Sequence, residues 1–144
     1  MNKIESAVDC FKQGFTCGQA MLSVYGEEFG LDRELAFKIA CAFGGGIARM
    51  GKTCGAVSGA FMVIGLKYGR TRVEDKEARE KTYELVNEFV KRFESRNGSI
   101  VCKDLLGVDI GTPEGSSIAR EKNLFLTMCP EFVKDAAEIV EEII

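Results

Sequence analysis

The sequence predicts an all-α protein: a single-domain helical bundle of about five to seven helices spanning residues 1–144. Three observations carry this. Apolar residues recur at helical spacing in at least four segments. Few stretches alternate with the period of two that a half-buried strand requires. Residues that start and stop helices fall where the periodic segments begin and end. With 144 residues, 46% of them apolar, the chain can bury a core without cross-links.

The elements follow in order. Ile4, Ala7, Val8 and Phe11 share one face, predicting a first helix over about residues 2–12. Thr16-Cys17-Gly18-Gln19 has the spacing of a capping box and opens a second helix, ending near Gly26 or Gly30. Asp32 caps a third, which carries Leu35, Ala36, Ile39, Ala40 and Phe43 and is interrupted by Gly44-Gly45-Gly46. A mainly apolar fourth helix follows Thr53 as N-cap and stops at Gly69. The clearest amphipathic segment comes next, with Ala78, Leu85, Val86, Phe89, Val90 and Phe93 on one face. Its early acids (Glu74, Asp75, Glu77) and late bases (Lys91, Arg92, Arg96) complement the helix dipole, and Asn97-Gly98 ends it. A short helical turn holds Cys102 to Leu106, with Ser99 as its cap. Residues 107–116 read as a Gly-rich loop with a Thr112-Pro113 start signal. Pro130 to about Glu142 forms the last helix, with Phe132, Val133, Ala136, Ala137 and Val140 inward and Cys129 as N-cap.

Composition removes several function classes. A net charge of −3, a pI near 5.2 and the lack of a sustained basic stripe argue against a nucleic-acid partner. The start, Met1-Asn2-Lys3-Ile4-Glu5, has no apolar leader core, so a cytoplasmic location is expected. The longest apolar stretch, Gly55 to Leu66, is too short to span a bilayer, so no membrane insertion is expected. Histidine is absent, which excludes His-based triads, His metal ligands and His-ligated haem. A transition-metal site would have to use Cys, with Asp or Glu as additions.

Six cysteines in such a chain suggest metal or redox chemistry rather than a disulfide framework. Cys17, Cys54, Cys102 and Cys129 all fall at or near the first turn of an expected helix. Unpaired N–H groups and the partial positive charge there favour thiolate, the form that attacks disulfides and binds metals. Those four are expected to converge on one site. Cys10 and Cys41 lie mid-helix beside apolar neighbours and read as small buried hydrophobes outside it. No C-x-x-C occurs, so any site is assembled by tertiary packing. Gly55 and Gly59 are four apart on one helix face. Something approaches that face closely, either another helix or a cluster that leaves no room for Cβ.

Gly46-Ile47-Ala48-Arg49-Met50-Gly51-Lys52-Thr53 fits the phosphate-loop pattern G-x-x-x-x-G-K-[ST] at every position. That motif works only between a buried strand and a helix. The segment before it, Ala36 to Phe43, reads as helical, and no apolar run ending in Asp follows to hold Mg²⁺. Nucleotide binding through residues 46–53 is therefore a minor alternative, and the loop reads as the tight turn that delivers Thr53 and Cys54.

Cys54-Gly55-Ala56-Val57-Ser58-Gly59 resembles the signature of the redox-active protein family named for its C_GCAxxG_C_C cysteine pattern. The resemblance covers nearly the whole chain. It extends to Cys17-Gly18-Gln19-Ala20, the Phe43-Gly44-Gly45-Gly46 turn, Gly59-Ala60 leading to Gly65-Leu66 and Tyr68-Gly69, and Cys102-Lys103-Asp104-Leu105-Leu106-Gly107. The family's four cysteines map onto Cys17, Cys54, Cys102 and Cys129; Gly18 departs from the more usual Ala. The resemblance implies a bacterial or archaeal helical protein with a redox or iron–sulfur role, and electron transfer in particular.

Four readings of the cysteines follow. The leading one is an iron–sulfur cluster held by Cys17, Cys54, Cys102 and Cys129, with Gly55 and Gly59 beside it, serving electron transfer to a redox partner protein. The second is thiol–disulfide exchange by a Cys17/Cys54 pair, with Lys52 helping to ionise Cys54. The third is a structural Cys₄ zinc site, the fourth a helical partner-binding module whose cysteines only pack. Under the cluster reading, an air-exposed preparation is expected to show an empty pocket, a disulfide or an adventitious metal such as zinc. The sequence leaves homo-oligomer formation, and whether the protein is an oxidoreductase in its own right, open.

Overall fold

A computed structural model describes all 144 residues, Met1–Ile144. The architecture is all-helical: α1 (Lys3–Lys12), α2 (Cys17–Gly26), α3 (Arg33–Cys41), α4 (Gly55–Tyr68), α5 (Lys76–Asn97), α6 (Cys102–Leu106), α7 (Pro113–Glu121), α8 (Leu124–Thr127) and α9 (Cys129–Ile143). A single 3₁₀ turn, Glu27–Phe29, extends α2. No strand forms; one isolated bridge pairs Thr53 with Val101. Apart from the single turn α8, the helices number eight rather than the five to seven expected. The extra one is α7, which lies partly in the stretch read as a loop. Thr112 caps it by accepting from Gly115 N–H at 3.0 Å, and Pro113 opens it.

Helix starts follow local chemistry for the most part. Asn2 accepts from Glu5 N–H at 2.8 Å, Asp32 from Leu35 at 3.2 Å and Asp75 from Ala78 at 3.0 Å. Thr16 and Gln19 complete the expected reciprocal capping box. Gly98, at φ +83°, ends α5 in the left-handed conformation. Three expected caps differ. Cys54 itself, not Thr53, is the N-cap of α4. Val101 rather than Ser99 precedes α6, and the Ser99 hydroxyl accepts from Val101 N–H at 2.9 Å. Cys129 is the first residue of α9, whose start is set by the preceding turn α8.

At the centre, α2 packs against α3 and α4, while α9 lies against α1, α4 and α5. Tyr25, Phe89, Phe93, Met21, Ile64 and Val133 are fully enclosed there. Each such side chain contributes about 1.5–3 kcal/mol relative to exposure. Phe89 stacks on Phe93 with centroids 5.8 Å apart and meets the edge of Phe61 at 5.9 Å. Outside this core, Arg96 pairs with Asp135, Glu138 and Glu142 across α5 and α9. Of the two explanations for Gly55 and Gly59, close helix packing is the one observed. A Cβ on Gly59 would stand 2.8 Å from Met21 Cβ, and one on Gly18 would stand 3.2 Å from Gly55 O. That proximity of α2 to α4 brings the two helix starts, and with them Cys17 and Cys54, together.

The expected inward face of α3 is only partly right. Ala36 and Ala40 are buried, but Leu35 and Ile39 are about half exposed, at 50% and 47%. Cys41, expected to be buried, ends α3 exposed. No helix is long and apolar enough to cross a membrane.

Candidate functional site

Four cysteines from four helix starts line one half-open cavity of about 800 Å³. Cys17 is the first residue of α2, fixed by the Thr16–Gln19 box. Cys54 caps α4, and Cys102 opens α6. Cys54 and Cys102 are held side by side by backbone pairing, with Cys54 N–H donating to Ile100 O at 2.8 Å and Cys102 N–H to Lys52 O at 2.6 Å. Cys129 enters from the start of α9. All six cysteines are free thiols. Cys10 lies elsewhere, buried with its sulfur 3.8 Å from the Ser23 hydroxyl. Cys41 does line the cavity, contrary to expectation, but it is not among the causes that shift Cys17, Cys54 or Cys102. Gly55 is on the cavity wall; Gly59 is not, and faces α2 instead.

Cys17, Cys54 and Cys102 are not electrostatically alike. Cys54 is held below its ordinary pKa, chiefly because the Cys17 thiol donates toward it. Burial opposes this, and the N–H groups of Ala56 and Val57 in the first turn of α4 add to the lowering. These N–H groups act as dipoles rather than through a formed capping bond. Lys52, expected to assist, is not among the causes. Cys17 is raised well above its ordinary value because its proton is shared toward Cys129 and Cys54, with burial and the neighbouring charges acting in the same direction. Burial pushes Cys102 up to about 12, with the sulfurs of Cys54 and Cys129 and the Asp109 carboxylate adding to it. Of Cys17, Cys54 and Cys102, only Cys54 is shifted toward thiolate. At Cys17 and Cys102, crowding and desolvation outweigh the dipole.

The segment 44–52 forms the facing wall and accounts for the phosphate-loop match. Gly45, Gly46, Ile47, Ala48 and Arg49 are five successive residues at φ between +45° and +68°, a left-handed helical turn. For the three with side chains this costs about 1–2 kcal/mol each. The N–H groups of residues 47–52 all donate back to Ala42, Phe43, Gly44, Gly45, Gly46 and Ile47 carbonyls. They are consumed by the loop itself, and no strand precedes it, so the cradle of a nucleotide-binding loop is not built. The N–H groups of Gly44, Gly45 and Gly46 donate to no protein acceptor. Gly46 permits the loop to touch the site: a Cβ there would lie 2.7 Å from Cys102 Cβ.

As arranged, no group of three or more Cys, Asp or Glu side chains stands at the spacing that holds a single metal ion. The four sulfurs around a single zinc lie about 3.8 Å apart, given Zn–S bonds near 2.3 Å. The structure therefore gives no support to the structural zinc reading. Sequence reasoning missed the charged rim of the cavity, where Lys12, Arg49 and Arg120 lie without a carboxylate among the lining residues. These three are far apart in sequence, and no local pattern marks them.

Residues 15–143 match the model of a family described as "Putative redox-active protein (C_GCAxxG_C_C)". No curated protein and no solved structure matches the chain.

Proposed function

The chain belongs to the C_GCAxxG_C_C family of redox-active proteins, and on that basis we propose that Cys17, Cys54, Cys102 and Cys129 hold an iron–sulfur cluster used for electron transfer. One observation carries this reading: four free sulfurs from four separate helices line one cavity far larger than a single ion needs. Four Cys thiolates are the usual ligand set of such clusters, and a multi-iron core tolerates wider sulfur spacing than one ion does. Bound there, a cluster would supply one-electron chemistry. The protein's own part is to deliver four sulfurs, to provide at Cys54 a sulfur already inclined to ionise, and to wall the site with apolar residues such as Leu105, Leu106 and Phe132. Loading requires the raised thiols of Cys17 and Cys102 to lose their protons, so binding releases protons and tightens with pH.

Thiol–disulfide exchange is the second reading, favoured by the opposed ionisation of Cys54 and Cys17. The Cys54 thiolate would attack a substrate disulfide and release one thiolate, forming a mixed disulfide. Cys17 would then lose its proton and attack Cys54 Sγ, releasing the second thiol and leaving a Cys17–Cys54 disulfide. The substrate gains two electrons and the protein dithiol loses two. Anaerobic reconstitution with iron and sulfide, followed by visible absorption and iron analysis, separates the two. The cluster reading requires iron retention by the parent and by Cys41→Ser, and its loss in Cys54→Ser, since a serine alkoxide is a poor iron ligand at neutral pH. No iron in the parent, with a thiol count that falls by two on oxidation, establishes exchange instead.

A further inference from the structure

The five thiols that line the cavity, Cys41 included, do not fill its volume of about 800 Å³, a size ordinary for small-molecule sites. Its walls beyond the sulfurs are mostly apolar, with Phe11, Phe15, Phe125 and Ile110 among them. Phe15 is held in place by stacking on Phe37 at 4.1 Å. The charge on these walls is one-sided. The chain has more acids than bases, 22 against 19. Yet the charged residues lining the cavity are Lys12, Arg49 and Arg120, with no Asp or Glu. None of the three takes part in an ion pair, whereas Arg92 and Arg96 on α5 are fully engaged with carboxylates.

A second observation lies on the same wall. The N–H groups of three consecutive glycines, Gly44, Gly45 and Gly46, have no protein acceptor, although the six that follow are all used. Gly46 is buried. Arg49 is beside them, since a Cβ on Gly45 would stand 3.1 Å from Arg49 Cγ. Unused main-chain donors next to an unpaired guanidinium form an oxyanion receptor, because both offer N–H groups to planar or tetrahedral oxygens.

The geometry points to a binding site for a small organic anion: a carboxylate or phosphate ester on an apolar, preferably aromatic, body. Its head lies against Arg49 and the Gly44–Gly46 backbone, with Arg120 and Lys12 contributing charge at the rim. Its body lies along the phenylalanine wall toward the cysteines. This deepens the redox reading by giving the cysteine site a diffusible ligand, and it rests on that reading only for the ligand's place beside a redox centre. Binding itself does not depend on iron.

The test uses the intact 144-residue chain free of iron and its reconstituted form. The probes are 2-naphthoate, 2-naphthyl phosphate and the neutral 2-naphthamide, followed by naphthalene fluorescence anisotropy. The chain has no Trp to interfere. At least one anion is expected to bind tenfold or more tighter than the amide at low salt, with the margin shrinking as salt rises. The tighter of the two anions identifies the head group. Arg49→Gln and Arg120→Gln, both at exposed and unpaired positions, are expected to reduce anion affinity severalfold each and to leave the amide unchanged. Equal affinity for anion and amide, no binding of either anion, or a preference that neither substitution reduces overturns the inference. A positive result in protein that never takes up iron upholds it while removing the cluster; iron uptake without anion preference does the reverse.

Discussion

Replacing Gly46 with Ala probes the contact between the left-handed loop and the cysteine site. Gly46 has φ +66°, where an L-residue is disfavoured by about 1–2 kcal/mol. The added methyl would also stand 2.7 Å from Cys102 Cβ, 2.7 Å from Lys52 N and 2.9 Å from Gly51 C. Two of those three atoms are backbone and cannot rotate away. Overpacking of this kind costs about 1–3 kcal/mol, so Gly46→Ala should lose about 2–5 kcal/mol in all. Gly98→Ala is the matched control. It shares the positive φ, +83°, but has nothing within 4 Å of its new methyl, so it should lose only about 1–2 kcal/mol. The assay is urea unfolding of both variants with unchanged m-values. At roughly 3 °C per kcal/mol, the midpoint of thermal unfolding should fall by about 6–15 °C for Gly46→Ala. A Gly46→Ala variant no less stable than Gly98→Ala would refute the close approach of loop and Cys102 on which the site's geometry depends.

Two further outcomes concern the ionisation of the sulfurs. Alkylation by iodoacetamide, followed peptide by peptide in mass spectra, should give Cys54 a half-point below pH 9.0 and leave Cys102 largely unreacted until the pH nears 12; equal half-points would contradict the assignment. The raised Cys102 pKa also makes stability fall in alkali. The unfolded chain releases this proton near 9.0 and the folded protein only near 12, so the stabilisation is complete below about pH 9 and is lost as the pH rises toward 12. Urea midpoints between pH 8 and 10.5 should therefore decline, and less steeply for Cys102→Ala; parallel declines would assign the effect elsewhere.

Much of the fold was legible because local chemistry and periodicity agreed. The Thr16–Gln19 box, the Asp32 and Asp75 caps and the apolar face of α5 all lie where the sequence placed them. So does the gathering of Cys17, Cys54, Cys102 and Cys129, which followed from their shared position at helix starts. Helix α7 was hidden because it buries only Gly115 and Ala119, too little to make a periodic face. Gly115 is there for proximity: a Cβ would sit 1.8 Å from Asp109 O. The left-handed turn was hidden too, because Ile47 and Arg49 have no preference for positive φ. Their conformation is imposed by the hydrogen bonds of residues 47–52 and by contact with Cys102. The dipole argument picked four cysteines that line one cavity but overstated the ionisation of Cys17 and Cys102, since burial and neighbouring thiols raise their pKa values.

Native mass spectrometry of protein purified and reconstituted without oxygen tests the central claim most directly, because it weighs what the four sulfurs hold. The account predicts a folded species heavier than the bare chain by one intact iron–sulfur cluster, present in the parent and in Cys10→Ser, and absent from Cys54→Ser and Cys102→Ser. A bare chain in every sample, lighter by two hydrogens after mild oxidation, would contradict the cluster and leave a Cys17–Cys54 dithiol as the redox centre.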